Sequence, residues 1–107
     1  MPDPPTAQIL RIADLVEYQA GSVVSRLVVK AEAGSVTLFA FDEGQDLSEH
    51  TVPFDALAHV LEGEVEIKIA GAPFRLGSGD AIVMPASRPH AVRAVSRFKM
   101  LLTMLRA

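Results

Sequence analysis

The sequence predicts an all-β protein, and three observations carry the prediction. Runs of β-branched and aromatic residues are broken at short intervals by glycine, proline and aspartate. Val65–Ile69 alternates apolar and charged residues without exception, the period of a strand with one dry face and one wet face. A length of 107 residues holds about one domain. Several short strands must therefore share one core, as in a sandwich or barrel.

Taken in order, the chain opens on a proline-rich stretch, residues 1–6, expected to fray because it offers few backbone donors and little bulk to bury. Residues 9–18 place Ile9, Ile12, Leu15 and Val16 at helix-like spacing, and a turn or short strand fits the same stretch. Together, 1–20 form a partly flexible N-terminal segment, leaving 21–107 for the barrel domain. After Gly21, the run Val23, Val24, Leu27, Val28 and Val29 leads to a turn at Ala33 and Gly34. A second run over 36–41 ends at the turn set Asp42, Glu43 and Gly44. Beyond Val65–Ile69, Ala70 and Gly71 reverse the chain into 74–76; Gly77 to Asp80 turn it again into the short apolar run Ala81–Met84, which Pro85 closes. In Phe98–Leu105, residues Phe98, Leu101, Leu102 and Leu105 also match a helical face, but the surrounding β pattern and the short length assign it to strand.

Composition narrows the partners. The net charge is −3 and the pI is about 5.5, without the basic surplus that displaces counterions from nucleic acid. With no cysteine, a disulfide, a thiolate nucleophile and a thiolate metal site are all excluded. No basic leader precedes an apolar stretch at the start, and no run approaches the roughly 18 apolar residues of a membrane span. A soluble cytoplasmic protein is the expectation. Half of the residues are hydrophobic, more aliphatic surface than one small core readily hides, and 23–29 and 36–41 read as apolar on both faces. A homodimer is therefore expected.

Over residues 44–92 two spaced motifs stand out. Gly44, His50, Val52, Ala56 and Gly63 occupy the places of a glycine, a His-x-His pair, a glutamate and a second glycine. Gly79, Pro85, Ser87, His90 and Ala94 occupy those of a glycine, a Pro-x-Gly turn, a histidine and an asparagine. In this the sequence resembles the cupin superfamily of small jelly-roll β-barrels of the RmlC-like type, and the resemblance implies that fold. It further implies a divalent metal such as Fe, Mn, Ni or Zn held by imidazoles and a carboxylate, with open positions for substrate. Val52 and Ala56 have no side-chain lone pair, so His50 and His90 are what remains of the ligand set, and two neutral nitrogens hold such an ion weakly.

Strand parity counted from Ala56 turns His59 and Asp55 outward; a bulge at Pro53 would be needed to re-aim either of them as a replacement ligand. Val52, Phe54, Ala56, Met84, Met100 and Met104 are candidates for the wall of a pocket, with ordinary core packing as the default reading of each. Arg88 offers a cation near His90. Nothing resembles a nucleophile elbow or a phosphate loop. The favoured reading is a stand-alone barrel that binds a small molecule with His50 and His90 as polar anchors. The alternative is a metal-dependent enzyme of dioxygenase, decarboxylase or isomerase type.

Overall fold

The computed structural model describes residues 6–106; the fraying expected of residues 1–5 lies outside it. Nine strands follow one 3₁₀ turn at Ile12–Leu15. They are β1 (Val23–Ala31), β2 (Gly34–Phe41), β3 (Asp46–His50), β4 (Asp55–Glu62), β5 (Val65–Ile69), β6 (Ala72–Leu76), β7 (Ala81–Met84), β8 (His90–Ala94) and β9 (Phe98–Leu105). Two antiparallel sheets form, one in the order β1-β2-β9-β4-β7 and the other β3-β8-β5-β6. The helical alternative for Phe98–Leu105 gives way because β9 lies between β2 and β4 and pairs with both, which satisfies its backbone groups on either side.

The inner faces of the two sheets meet in one core. Phe41, Ala56, Ala58, Val60, Met84, Phe98 and Met100 come from the five-stranded sheet, and Val65, Ile67, Leu76, Val92 and Ala94 from the other. Alternation does this sorting: in β5, Val65, Ile67 and Ile69 are buried while Lys68 is exposed. Phe41 and Phe98 are register partners with ring centroids 4.6 Å apart, a stacked pair worth about 0.5–1.5 kcal/mol beyond its buried area.

The outer faces differ sharply. On the four-stranded sheet, Asp46, Arg93, Glu66 and Arg75 are successive register partners across all four strands, a wet ladder of alternating charge. On the five-stranded sheet, Val29, Val36, Thr103, Leu57 and Val83 are successive partners across all five strands, and none is charged. Beside that rank the N-terminal segment lies down. Val16 is buried against Leu38 and Ala40, with Ile12, Leu15 and Tyr18 packed around them. Lys99, only 8% exposed, donates from Nζ to the Ala13 carbonyl at 2.6 Å and pairs with Glu62 at 3.3 Å. A buried ammonium held this way tethers the segment to the sheet, because losing either partner would leave a desolvated charge. Across the rest of the face the aliphatic surface stays open, with Val29, Leu57, Val83 and Leu105 all exposed.

Strand β1 is irregular between Leu27 and Val29. Leu27 pairs with Thr37, but Val29 pairs with Val36, so one extra residue reverses side-chain facing beyond it. Val29 turns to the outer face, and Lys30, opposite Ser35, turns to the inner one.

Candidate functional site

His50 ends β3 and His90 begins β8, and the pairing of these strands makes the two residues register partners at one mouth of the barrel. Their rings meet edge to face with centroids 4.3 Å apart. The two are not equivalent. His90 is 5% exposed, flanked by Ile69 across the β5 pairing, and its Nδ1 is buried without a hydrogen-bond partner. His50, on the edge strand, is exposed, and its Nδ1 lies 2.8 Å from the Ser48 carbonyl oxygen. A carbonyl only accepts, so Nδ1 of His50 carries the proton and Nε2 keeps its lone pair in the neutral ring. Burial and, after it, the neighbouring His50 hold the His90 pKa below its ordinary value of 6.5; the Arg88 backbone opposes this in part without satisfying Nδ1. His90 is thus a neutral imidazole near pH 7. Most buried polar atoms have a partner, so its Nδ1 marks a place where a ligand or water would gain a hydrogen bond.

The remaining candidates divide. Phe54 lines a cavity of about 260 Å³ at the barrel mouth together with Met104. Val52 is half-buried, and its carbonyl accepts from the Ser87 amide at 2.8 Å, joining the β3–β4 and β7–β8 connections. Ala56 and Met84, register partners, and Met100 are fully packed into the core rather than set around that cavity. His59 pairs with Leu101 and Ala81 on the outer face of the five-stranded sheet, on the far side from the core, so the structure does not bring it to His50 and His90. Asp55 shares that outward parity, and its Oδ1 accepts from the Ala86 amide at 2.8 Å. Arg88 is exposed in the connection before β8.

Among the described residues no three histidine or acidic side chains gather closely enough to hold a metal ion. The donor set therefore does not fit the three- or four-ligand centre that the motif resemblance implies: two imidazoles supply neither the compensating charge nor the coordination number. Sequence reasoning also missed two cationic residues at the cavity, Lys30 and Arg106. Lys30 was hidden by the β1 irregularity, since simple alternation from Val23 turns it outward.

A two-sheet antiparallel barrel carrying one histidine on β3 opposite another on β8 defines a protein of the cupin class. A family model described as a cupin domain matches residues 37–105, and the chain belongs to that family. It is similar to the conserved SPY1581 protein of unknown function from Streptococcus pyogenes, with 34% identity, a TM-score of 0.92, and coverage of 99% of this chain and 93% of the other. It is similar also to a cupin superfamily protein from Desulfitobacterium hafniense, at 29% identity and a TM-score of 0.90, covering 99% and 97%. A cupin 2 conserved barrel domain protein from Leptotrichia buccalis is 39% identical with a TM-score of 0.88; the match covers 91% of this chain but 47% of that one. No curated protein shows significant similarity to the sequence. No helix among the described residues is long and apolar enough to cross a membrane.

Proposed function

We propose that the protein is a small-molecule binding module whose ligand enters the barrel mouth and is anchored by His90, with His50 at the rim. The observation that carries this is the buried, unpartnered Nδ1 of His90 beside a second imidazole at the open end of an apolar barrel. A few convergent polar groups in an apolar concavity are what a binding site presents. The enzymatic alternative needs a third ligand, and Asp55 and His59 both face away. The test is native mass spectrometry of untagged protein, together with elemental analysis. The expected result is a small organic molecule released on denaturation, with occupancy reduced in His90→Gln, and metal well below one equivalent and removed by EDTA with the fold intact. Full metal occupancy after dialysis against EDTA would overturn this reading in favour of the enzymatic one.

The open face of the five-stranded sheet supports self-association. Its rank Val29, Val36, Thr103, Leu57 and Val83 carries no charge, so a second copy placed on it by a two-fold axis meets apolar surface and no repulsion. The charged ladder on the opposite sheet offers no such surface.

A further inference from the structure

The cavity that Phe54 and Met104 share, which neither His50 nor His90 lines, has a charge of one sign. Its floor is apolar, formed by Leu27, Phe54 and Met104. Its charged lining residues are Lys30 and Arg106, both positive, and no acidic residue lines it, in a chain whose net charge is −3. Elsewhere among the described residues four cations are matched, Arg75 with Glu64, Arg93 with Glu66, Arg97 with Asp42, and Lys99 with Glu62, while Arg26 in β1 and Lys68 in β5 stand on the surface without an ion pair. Among the described residues Lys30 and Arg106 enter no ion pair. Both are also placed rather than scattered. The β1 irregularity turns Lys30 inward opposite Ser35, which pairs in turn with Met104. The backbone amide of Arg106 donates to the Ala33 carbonyl at 2.8 Å, and its guanidinium stands 5.5 Å from the Phe54 ring centroid.

We propose that this cavity selects a small organic carboxylate, with Arg106 and Lys30 holding the carboxylate and Leu27, Phe54 and Met104 taking an aromatic or aliphatic body. This rests on the barrel-binding reading above and assigns its ligand a chemical class. A planar guanidinium matches a carboxylate through two parallel hydrogen bonds, and a neighbouring ammonium adds a point charge. The low-dielectric floor strengthens both attractions relative to open water. An inorganic polyanion would leave the apolar floor unused. At about 260 Å³ the cavity falls just under the roughly 300 Å³ at which drug-sized sites begin, so one ring with a short acid chain is the upper size.

The experiment is a titration of the ¹⁵N-labelled full chain with 3-phenylpropanoate and with its neutral amide, followed by two-dimensional NMR. The acid is expected to shift the amides of Lys30, Ser35, Met104 and Arg106 saturably and to bind at least tenfold more tightly than the amide. Lys30→Gln combined with Arg106→Gln should remove that preference while amide binding is unchanged. Both side chains are exposed, and the dispersion of the same spectra reports that the variant is folded. Equal binding of acid and amide at these residues would overturn charge selection and leave the barrel as a binding site. Shifts confined to the His50 and His90 region would overturn the cavity's role alone. No saturable shift with either probe would overturn both readings.

Discussion

Replacing Gly63 with alanine should cost several times more stability than the same change at Gly44, although the two share nearly one backbone conformation. Their φ angles are +82° and +79°. An L-residue in this left-handed region loses about 1–2 kcal/mol, and alanine recovers roughly 0.4–1 kcal/mol by restricting the unfolded chain. Gly44 has nothing within 4 Å of the new Cβ, so its net loss should stay near 1 kcal/mol. At Gly63 the Cβ would overlap the Arg97 carbonyl oxygen and stand 2.7 Å from both Cα and Cβ of Phe98. Those atoms lie at the entry to β9, two of them in its first residue, and cannot swing aside as a flexible side chain would. Pushing them back drags Phe98, fully buried, off Phe41. Losing much of one buried phenylalanine's packing costs about 3–5 kcal/mol, a large part of the 5–15 kcal/mol that holds a typical domain together. Urea unfolding followed by far-ultraviolet circular dichroism, at one protein concentration so that assembly does not move the midpoint, compares the two variants directly. Losses equal to within about 0.5 kcal/mol would refute the argument from overlap, since only backbone strain is common to both sites.

Four further outcomes are expected. Because the His90 pKa lies below its ordinary value, the unfolded chain takes up a proton first as pH falls. Stability should be full above about pH 6.5, decline towards the folded pKa and level off below it, and His90→Gln should reduce that slope in urea midpoints between about pH 5 and 8; an unchanged slope would contradict the assignment. Leu57→Lys on the open sheet face should raise the dissociation constant of a dimer at least tenfold by sedimentation, about 1.4 kcal/mol, and a wild-type monomer at micromolar concentration would end the dimer proposal. Ser87, at φ +63°, holds a left-handed turn where the motif carries glycine, so Ser87→Gly should raise stability by up to about 1 kcal/mol in the same urea assay, and a loss would contradict this. Tyr18, the one tyrosine in a chain without tryptophan, has its pKa pushed up to about 12, first by burial and then by the Glu62 carboxylate; absorbance near 295 nm should show it ionising well above the ordinary value of 10, and a midpoint at 10 would mean that the N-terminal segment is not docked.

What the sequence made legible was local or periodic. Alternation in Val65–Ile69 told its facing correctly, and the glycines at 44, 63 and 79 stand where positive φ angles require them. Phe98–Leu105 is assigned correctly to strand, but only from its β surroundings and short length, because its own pattern serves a helix and a strand equally and its two neighbouring strands are far away in sequence. The histidines at 50 and 90 were readable as a pair. Their inequality was not, because exposure depends on β3 lying at a sheet edge, a tertiary fact. Among the pocket candidates, Ala56, Met84 and Met100 went into the core because an apolar inward side chain carries no mark that separates lining from filling. Lys99 carried no signal at all: alternation places a charged residue outward, and only the docked N-terminal segment buries it.

The irregularity in β1 gives one spare residue authority over two surfaces at once. Val29 contributes to the open sheet face and Lys30 to the cavity only because the chain is one residue longer than the ladder it joins. At these positions chain length, rather than residue type, decides what each side chain serves. Two relatives with identical residues there, differing by one insertion, would exchange an open-face aliphatic for a buried one and a cavity-lining cation for a solvated one. Column-by-column comparison would score them as the same, so in this stretch gaps carry more functional information than substitutions.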